Sequence, residues 1–139
     1  MAKAPEPYIK ESELLAENHF PVYALFNEVF SKYFIKMVES ASMGYGFGAA
    51  YGACCFPIDL AESGVPPSEI PNGVVFSLHN GEETLLDYST YYNYYLNKVC
   101  KRHIKMYPDT EQELTELLEK TKLTLESLNG EPLHPIVAD

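Results

Sequence analysis

The chain has 139 residues, 46% hydrophobic and 13% aromatic, with a formal net charge of -10. That length fits one domain with one core, and the apolar content excludes a disordered tail. So acidic a chain repels a nucleic-acid backbone unless a local patch prevails, but it attracts a basic protein partner and speeds the encounter.

The first twenty residues, "MAKAPEPYIKESELLAENHF", lack the apolar core of a signal peptide. The longest uncharged run, Ser40 to Ile58, is too diluted by glycine and polar residues to span a membrane. The location expected is cytoplasmic. Residues 1–10, with two prolines, are expected to fray. "SELLAEN" reads as a short helix capped by Ser12. Pro21 then opens a strong helical stripe: Val22, Leu25, Phe26, Val29, Phe30, Tyr33, Phe34, Met37 and Val38. Proline suits a first helical turn, where its missing N–H has no helical partner. This helix should end between Ser40 and Gly44.

The period then changes. In "GYGFGAAYGACC", residues 44–55, Tyr45, Phe47, Ala49, Tyr51 and Ala53 alternate with glycines and Ala50. Read as one strand, this gives an aromatic face and a nearly bare one, suited to close backbone approach. "AESGVPPSEIPNG" is a proline-rich connection and the expected mobile loop. Val74–Leu78 and Thr84–Tyr88 flank an Asn80-Gly81 turn, a hairpin signal. Ser89 or Thr90 is expected to cap the next helix, whose Tyr92, Tyr95, Leu96, Val99, His103 and Met106 face inward. Its Lys98, Lys101, Arg102 and Lys105 face out. Pro108 stops it. Thr110 with Glu113 suggests a capping box for a last helix striped by Leu114, Leu117, Leu118, Leu125 and Leu128. Asn129-Gly130 ends that helix. The expectation is one α+β domain over residues 1–139, with about four helices on a small, mainly antiparallel sheet.

Charge is unevenly placed. Residues 43–89 carry no Lys or Arg but six acids: Asp59, Glu62, Glu69, Glu82, Glu83 and Asp87. Residues 90–107 carry only cations, Lys98, Lys101, Arg102 and Lys105.

No known catalytic constellation emerges. A dinucleotide fingerprint would need a strand before the glycines and a helix after them, and the order here is reversed. No Gly-Lys-Ser/Thr occurs, and no cation lies nearby to meet a phosphate. Histidines 19, 79, 103 and 134 have no metal-ligand spacing, so neither metal nor cofactor is expected. His103 sits where a satisfied core histidine would. Cys54, Cys55 and Cys100 are an odd number without C-x-x-C spacing and read as buried free thiols. The tyrosines divide on a helical wheel: 88, 92 and 95 toward the core, 91 and 94 outward beside Lys98. Exposed tyrosines could stack on bases, but this chain's charge favours a protein interface.

Two stretches, "MVESASMGYGFGAAYGACCFP" (37–57) and "GVVFSLHNGEETLLDYSTYYNYYLNKVCKRHIKMYPDTEQELTELL" (73–118), carry a resemblance. The order is an apolar strand, an acidic turn, "LLDY", an aromatic-rich helix and a charged terminal helix. It resembles the immunity proteins of bacterial contact-dependent growth inhibition (CDI) systems, in the group that protects against ribonuclease toxins. The resemblance implies a small cytoplasmic protein without catalysis. It would bind the C-terminal nuclease domain of a cognate effector and block its active site or substrate surface. Such toxins tend to be basic, because they must hold RNA. The residues expected to meet the toxin are Asp59, Glu62, Glu69, Glu82, Glu83 and Asp87, with Tyr91 or Tyr94 as an anchor. Two rivals remain at this level: an acidic secretion chaperone, and a small enzyme using Cys54 or Cys55.

Overall fold

The computed structural model describes residues 7–29 and 31–133. Four strands form an antiparallel sheet in the order β1-β2-β3-β4: β1 (Phe47–Ala49), β2 (Gly52–Cys55), β3 (Val74–Leu78) and β4 (Glu83–Leu86). The helices are α1 (Phe20–Glu28), α2 (Ser31–Ser42), α3 (Pro57–Glu62), α4 (Asn97–Met106) and α5 (Glu111–Asn129). A π-helical segment, Thr90–Leu96, runs directly into α4. The fold is α+β, as the sequence pattern indicates.

The core lies between the sheet's inner face and the helices. Phe26 of α1 packs against Phe47 and Phe76, with ring centroids 5.9 and 5.5 Å away. Fully burying such a side chain contributes roughly 1.5–3 kcal/mol. Phe34 of α2 packs against both Tyr8 and His103, with ring centroids 4.7 and 4.3 Å away, and those two rings also meet each other at 6.0 Å.

The helix expected from Pro21 to Val38 is two helices. Val29 is extended (φ -75°, ψ 116°) and ends α1; Phe30 lies outside the described residues. The halves bury against different partners. α1 lies on the sheet, whereas α2 packs along α5, where Thr124 Oγ1 donates to the Ser42 carbonyl at 2.7 Å. One straight rod could not reach both. α2 ends as expected, with Gly44 at φ +83°. Its N–H and that of Tyr45 return to the carbonyls of Ala41 and Ser40, a pattern only a left-handed residue closes comfortably.

The single strand expected across 44–56 is a hairpin, turning at Ala50-Tyr51. Close backbone approach holds at two of its glycines. A Cβ on Gly46 would sit 1.8 Å from the Cys54 carbonyl oxygen, and one on Gly52 2.0 Å from that of Ser77.

At the N-terminus, residues 1–6 lie outside the described residues, but Tyr8 and Ile9 are buried, not frayed. "SELLAEN" forms two 3-10 turns, Glu11–Glu13 and Glu17–His19, and Ser12 caps neither. The cap expected of Ser89 or Thr90 comes from Asp87, whose Oδ1 accepts from Thr90 N at 2.7 Å and Oδ2 from Thr90 Oγ1 at 3.0 Å. The Thr110–Glu113 capping box is absent. Thr110 Oγ1 donates to the Tyr107 carbonyl instead, inside a 3-10 turn (Pro108–Thr110) that leads into α5.

Candidate functional site

The six acids lie around the sheet in three kinds of position. Asp59 and Asp87 serve backbone. Asp59 Oδ2 accepts from Phe56 N (2.7 Å) and Gly46 N (2.9 Å), joining the start of α3 to the approach to β1. Asp87 caps the tyrosine-rich helix. Glu62 and Glu82 are exposed but hold neighbours: Glu62 accepts from the Tyr45 hydroxyl at 3.2 Å, and Glu82 from Asn80 Nδ2 at 3.1 Å. The Tyr45 hydroxyl is pushed up by its hydrogen bond to Glu62 and by that carboxylate's charge. Glu69 and Glu83 are exposed, Glu69 in the turn before β3 and Glu83 on β4.

The register places Glu83 precisely enough to define a surface. Ala53 pairs with Ser77 and Ser77 with Glu83; Cys55 pairs with Val75 and Val75 with Leu85. These residues share the face opposite Phe76, because side chains alternate along each strand. Leu85 is 53% exposed. Burial raises the Cys55 thiol first, and the charges of Asp59 and Glu83 raise it further. Asp59 and Glu83 are thus both close enough to act on Cys55, and the segment that builds this face carries no Lys or Arg.

The two hairpin tips lie side by side. His79 N donates to the Tyr51 carbonyl at 2.8 Å. Tyr51, 70% exposed, thus stands at the sheet end that also carries the His79–Gly81 turn and Glu82. Gly81 takes the positive φ of that turn, +98°; Asn80 does not use the freedom that Asn-Gly offers.

The expected outward face of the tyrosine helix is corrected. Tyr91 is 1% exposed and packs against Phe56 and Phe76. Its place is structural, because it lies three residues after Tyr88 and four before Tyr95, both buried, on one broad stripe. Tyr94 is half-buried. Its hydroxyl donates to the Glu13 carbonyl, and Lys98 Nζ sits 4.6 Å from its ring centroid. The cations expected to face solvent are partly engaged too. Arg102 Nη1 donates to Glu13 Oε1 at 2.6 Å and to the Tyr8 carbonyl at 2.9 Å, and Lys98 lies 3.6 Å from Glu13 Oε2. The Arg102 hydrogen bonds hold the Glu13 carboxyl down at about 2.

His103 is 2% exposed, pairs with the Tyr8 hydroxyl at 3.0 Å, and is lowered by burial, as a satisfied core histidine should be. Cys54 and Cys100 are buried, and burial raises both thiols, Cys100 to about 12. That environment opposes the thiolate a nucleophile needs.

One feature escaped the sequence reading. Between α2 and β1 runs an open groove of about 620 Å³, floored by Met37 and Phe47 and bordered by Gly48. Tyr33 and Tyr51, 50% and 70% exposed, stand at its rim. Glu28 lines it, and its Oε2 is buried without a hydrogen-bond partner among the described residues. Nothing in the helical stripe distinguished Glu28 from an ordinary solvated acid.

No curated protein matches the chain. A family model for CDI immunity proteins matches residues 8–118, and the chain belongs to that family. Its function is immunity against a CDI toxin.

Proposed function

We propose that the chain neutralises a nuclease toxin domain, in particular a ribonuclease, as a non-catalytic inhibitor acting in the cytoplasm. It covers the toxin's active site or substrate surface and touches no nucleic acid itself. The observation that carries this reading is the Lys/Arg-free segment 43–89, which folds into the sheet and presents Glu62, Glu69, Glu82 and Glu83 at the surface. A nuclease needs cations to hold a phosphate backbone, and an acidic sheet face complements them. Asp59 and Asp87 add charge from their capping positions, and Tyr94 adds a half-buried ring. Tyr91 makes no part of the contact, because it lies in the core.

The test is co-expression with the toxin domain of the effector whose gene adjoins this one, scored by growth and by tRNA and rRNA integrity. Rescue with intact RNA and a co-purifying complex supports the reading. Rescue from a toxin that degrades DNA would correct the substrate. Continued toxicity without a complex would reject the inhibitor. Reversing Glu82 and Glu83 to Lys should slow association most at low salt. If either carboxylate sits in a fully desolvated charge pair, losing it should cost roughly 2–5 kcal/mol of affinity.

A further inference from the structure

Resting on that reading, we propose that the groove between α2 and β1 receives an extended segment of the toxin. This segment pairs with β1 at Gly48 and directs a cationic side chain to Glu28. Three independent features converge there.

The first is a strand edge. β1 and β4 bound the sheet. β4 is partly covered by residues 17–19, and the Thr84 hydroxyl donates to the Asn18 carbonyl. β1 has the groove beside it. The His79-to-Tyr51 bond fixes the phase of the ladder, so Gly52 turns its N–H and C=O toward Ala49. Gly48, opposite Ala53, then directs its own N–H and C=O away from β2. A Cβ on Gly48 would meet nothing within 4 Å. An added strand finds one donor, one acceptor and no side chain in its way, the arrangement that strand addition uses.

The second is Glu28 Oε2, buried without a hydrogen-bond partner among the described residues. A buried acceptor without a donor is costly to the free protein, and a partner's Lys or Arg supplies the missing donor. Lys36 also lines the groove, yet no ion pair among the described residues joins it to Glu28. The third is the pair of exposed tyrosines. Rings of this kind bury much area at little entropic cost and recur as anchors at interfaces. A free main-chain edge favours a peptide segment over a small ligand. Its cationic character follows from Glu28 and from the nearby sheet, which lacks Lys and Arg.

The test uses the full chain and the toxin domain of the adjoining effector gene, with amide exchange and calorimetry. Exchange at Gly48 should slow in the complex. Gly48→Pro removes the outward donor at an edge position that tolerates proline, and Glu28→Gln removes the charge without changing shape. Each should weaken binding about tenfold, the scale of one or two interfacial hydrogen bonds, with thermal unfolding confirming a folded variant. Unchanged exchange over 46–50 in a complex that forms normally would overturn the proposal and leave the inhibitor reading standing. Absence of any complex would overturn both. Slowed exchange at Gly48 in a dimer of the isolated chain would assign the groove to a second copy and overturn the toxin segment.

Discussion

Two tyrosine-bearing regions behave in opposite ways. In the helix from Tyr88 to Met106, the hydroxyls of Tyr92 and Tyr95 are spent inward. Tyr92 donates to the Leu118 carbonyl at 2.9 Å, and Tyr95 accepts from Leu15 N at 2.9 Å and meets His19 Nδ1 at 2.8 Å. Burial pushes Tyr95 up to about 12. Around the groove, Tyr33 and Tyr51 are exposed, near glycine and a Glu28 oxygen that is buried without a hydrogen-bond partner among the described residues. Composition does not separate the two regions. What separates them is whether a second element lies over the ring: the N-terminal segment and α5 cover the helix, whereas the rings of Tyr33 and Tyr51 stay exposed. The first region carries stability, and the second keeps its rings at the surface.

Substitutions can break that division, beginning with the largest effect. Phe34→Ala removes the ring that packs against both Tyr8 and His103 and should cost about 3–5 kcal/mol in denaturant unfolding. Gly46→Ala drives a methyl into the Cys54 carbonyl and should cost about 1–3 kcal/mol, while Gly48→Ala two residues on should be near neutral. If both alanines proved equally harmless, β1 would be looser than its register implies.

Glu13→Gln should cost about 1.5 kcal/mol near neutral pH, the low end for hydrogen bonds to a charged group. The folded carboxyl is depressed to about 2 from 4.5, chiefly by hydrogen bonding to Arg102. Its contribution is therefore full above about 4.5 and lost as pH falls toward 2, so melting curves of variant and wild type should converge there. His19 and His103 are both lowered by burial from 6.5, which favours their neutral forms in the fold. The unfolded chain takes up those protons first, so melting temperature should decline as pH drops below about 6.5, before the Glu13 effect begins. Tyr51→Ala, at a 70% exposed site, should change stability by no more than about 0.5 kcal/mol while weakening toxin binding. Tyr88→Phe should be neutral or slightly stabilising, because its buried hydroxyl has no partner among the described residues.

Much of the fold was legible where one local cause decides the outcome. Gly44 and Gly130 end helices because a left-handed residue is needed there, and Asn80-Gly81 turns a hairpin. The misreadings share a different origin. The break at Val29 and the turn at Ala50-Tyr51 follow from which distant element each half packs against, and periodicity does not encode that. Ser89, Thr90 and Asp87 are all competent caps, and the sequence does not rank them. Tyr91 was placed outside because the inward stripe was drawn too narrow, yet a helix covered on several sides buries a wider arc. The acids were found, but not which of them serve backbone, and the groove arises from two elements that meet only in the folded chain.

The clasp at Glu13 also has a consequence in time. Its carbonyl and carboxylate hold Tyr94, Lys98 and Arg102, residues more than eighty positions later in the chain. On a ribosome the N-terminal segment emerges first and waits for the helix it will fasten. Closing so long a loop is an intrinsically slow step, so this clasp is expected to form after the local turns and helices, an order that pulsed amide exchange at Tyr8 and Ile9 would check. In that order of events Tyr8 and Ile9, both buried in the finished fold, would be the last of the core to leave water.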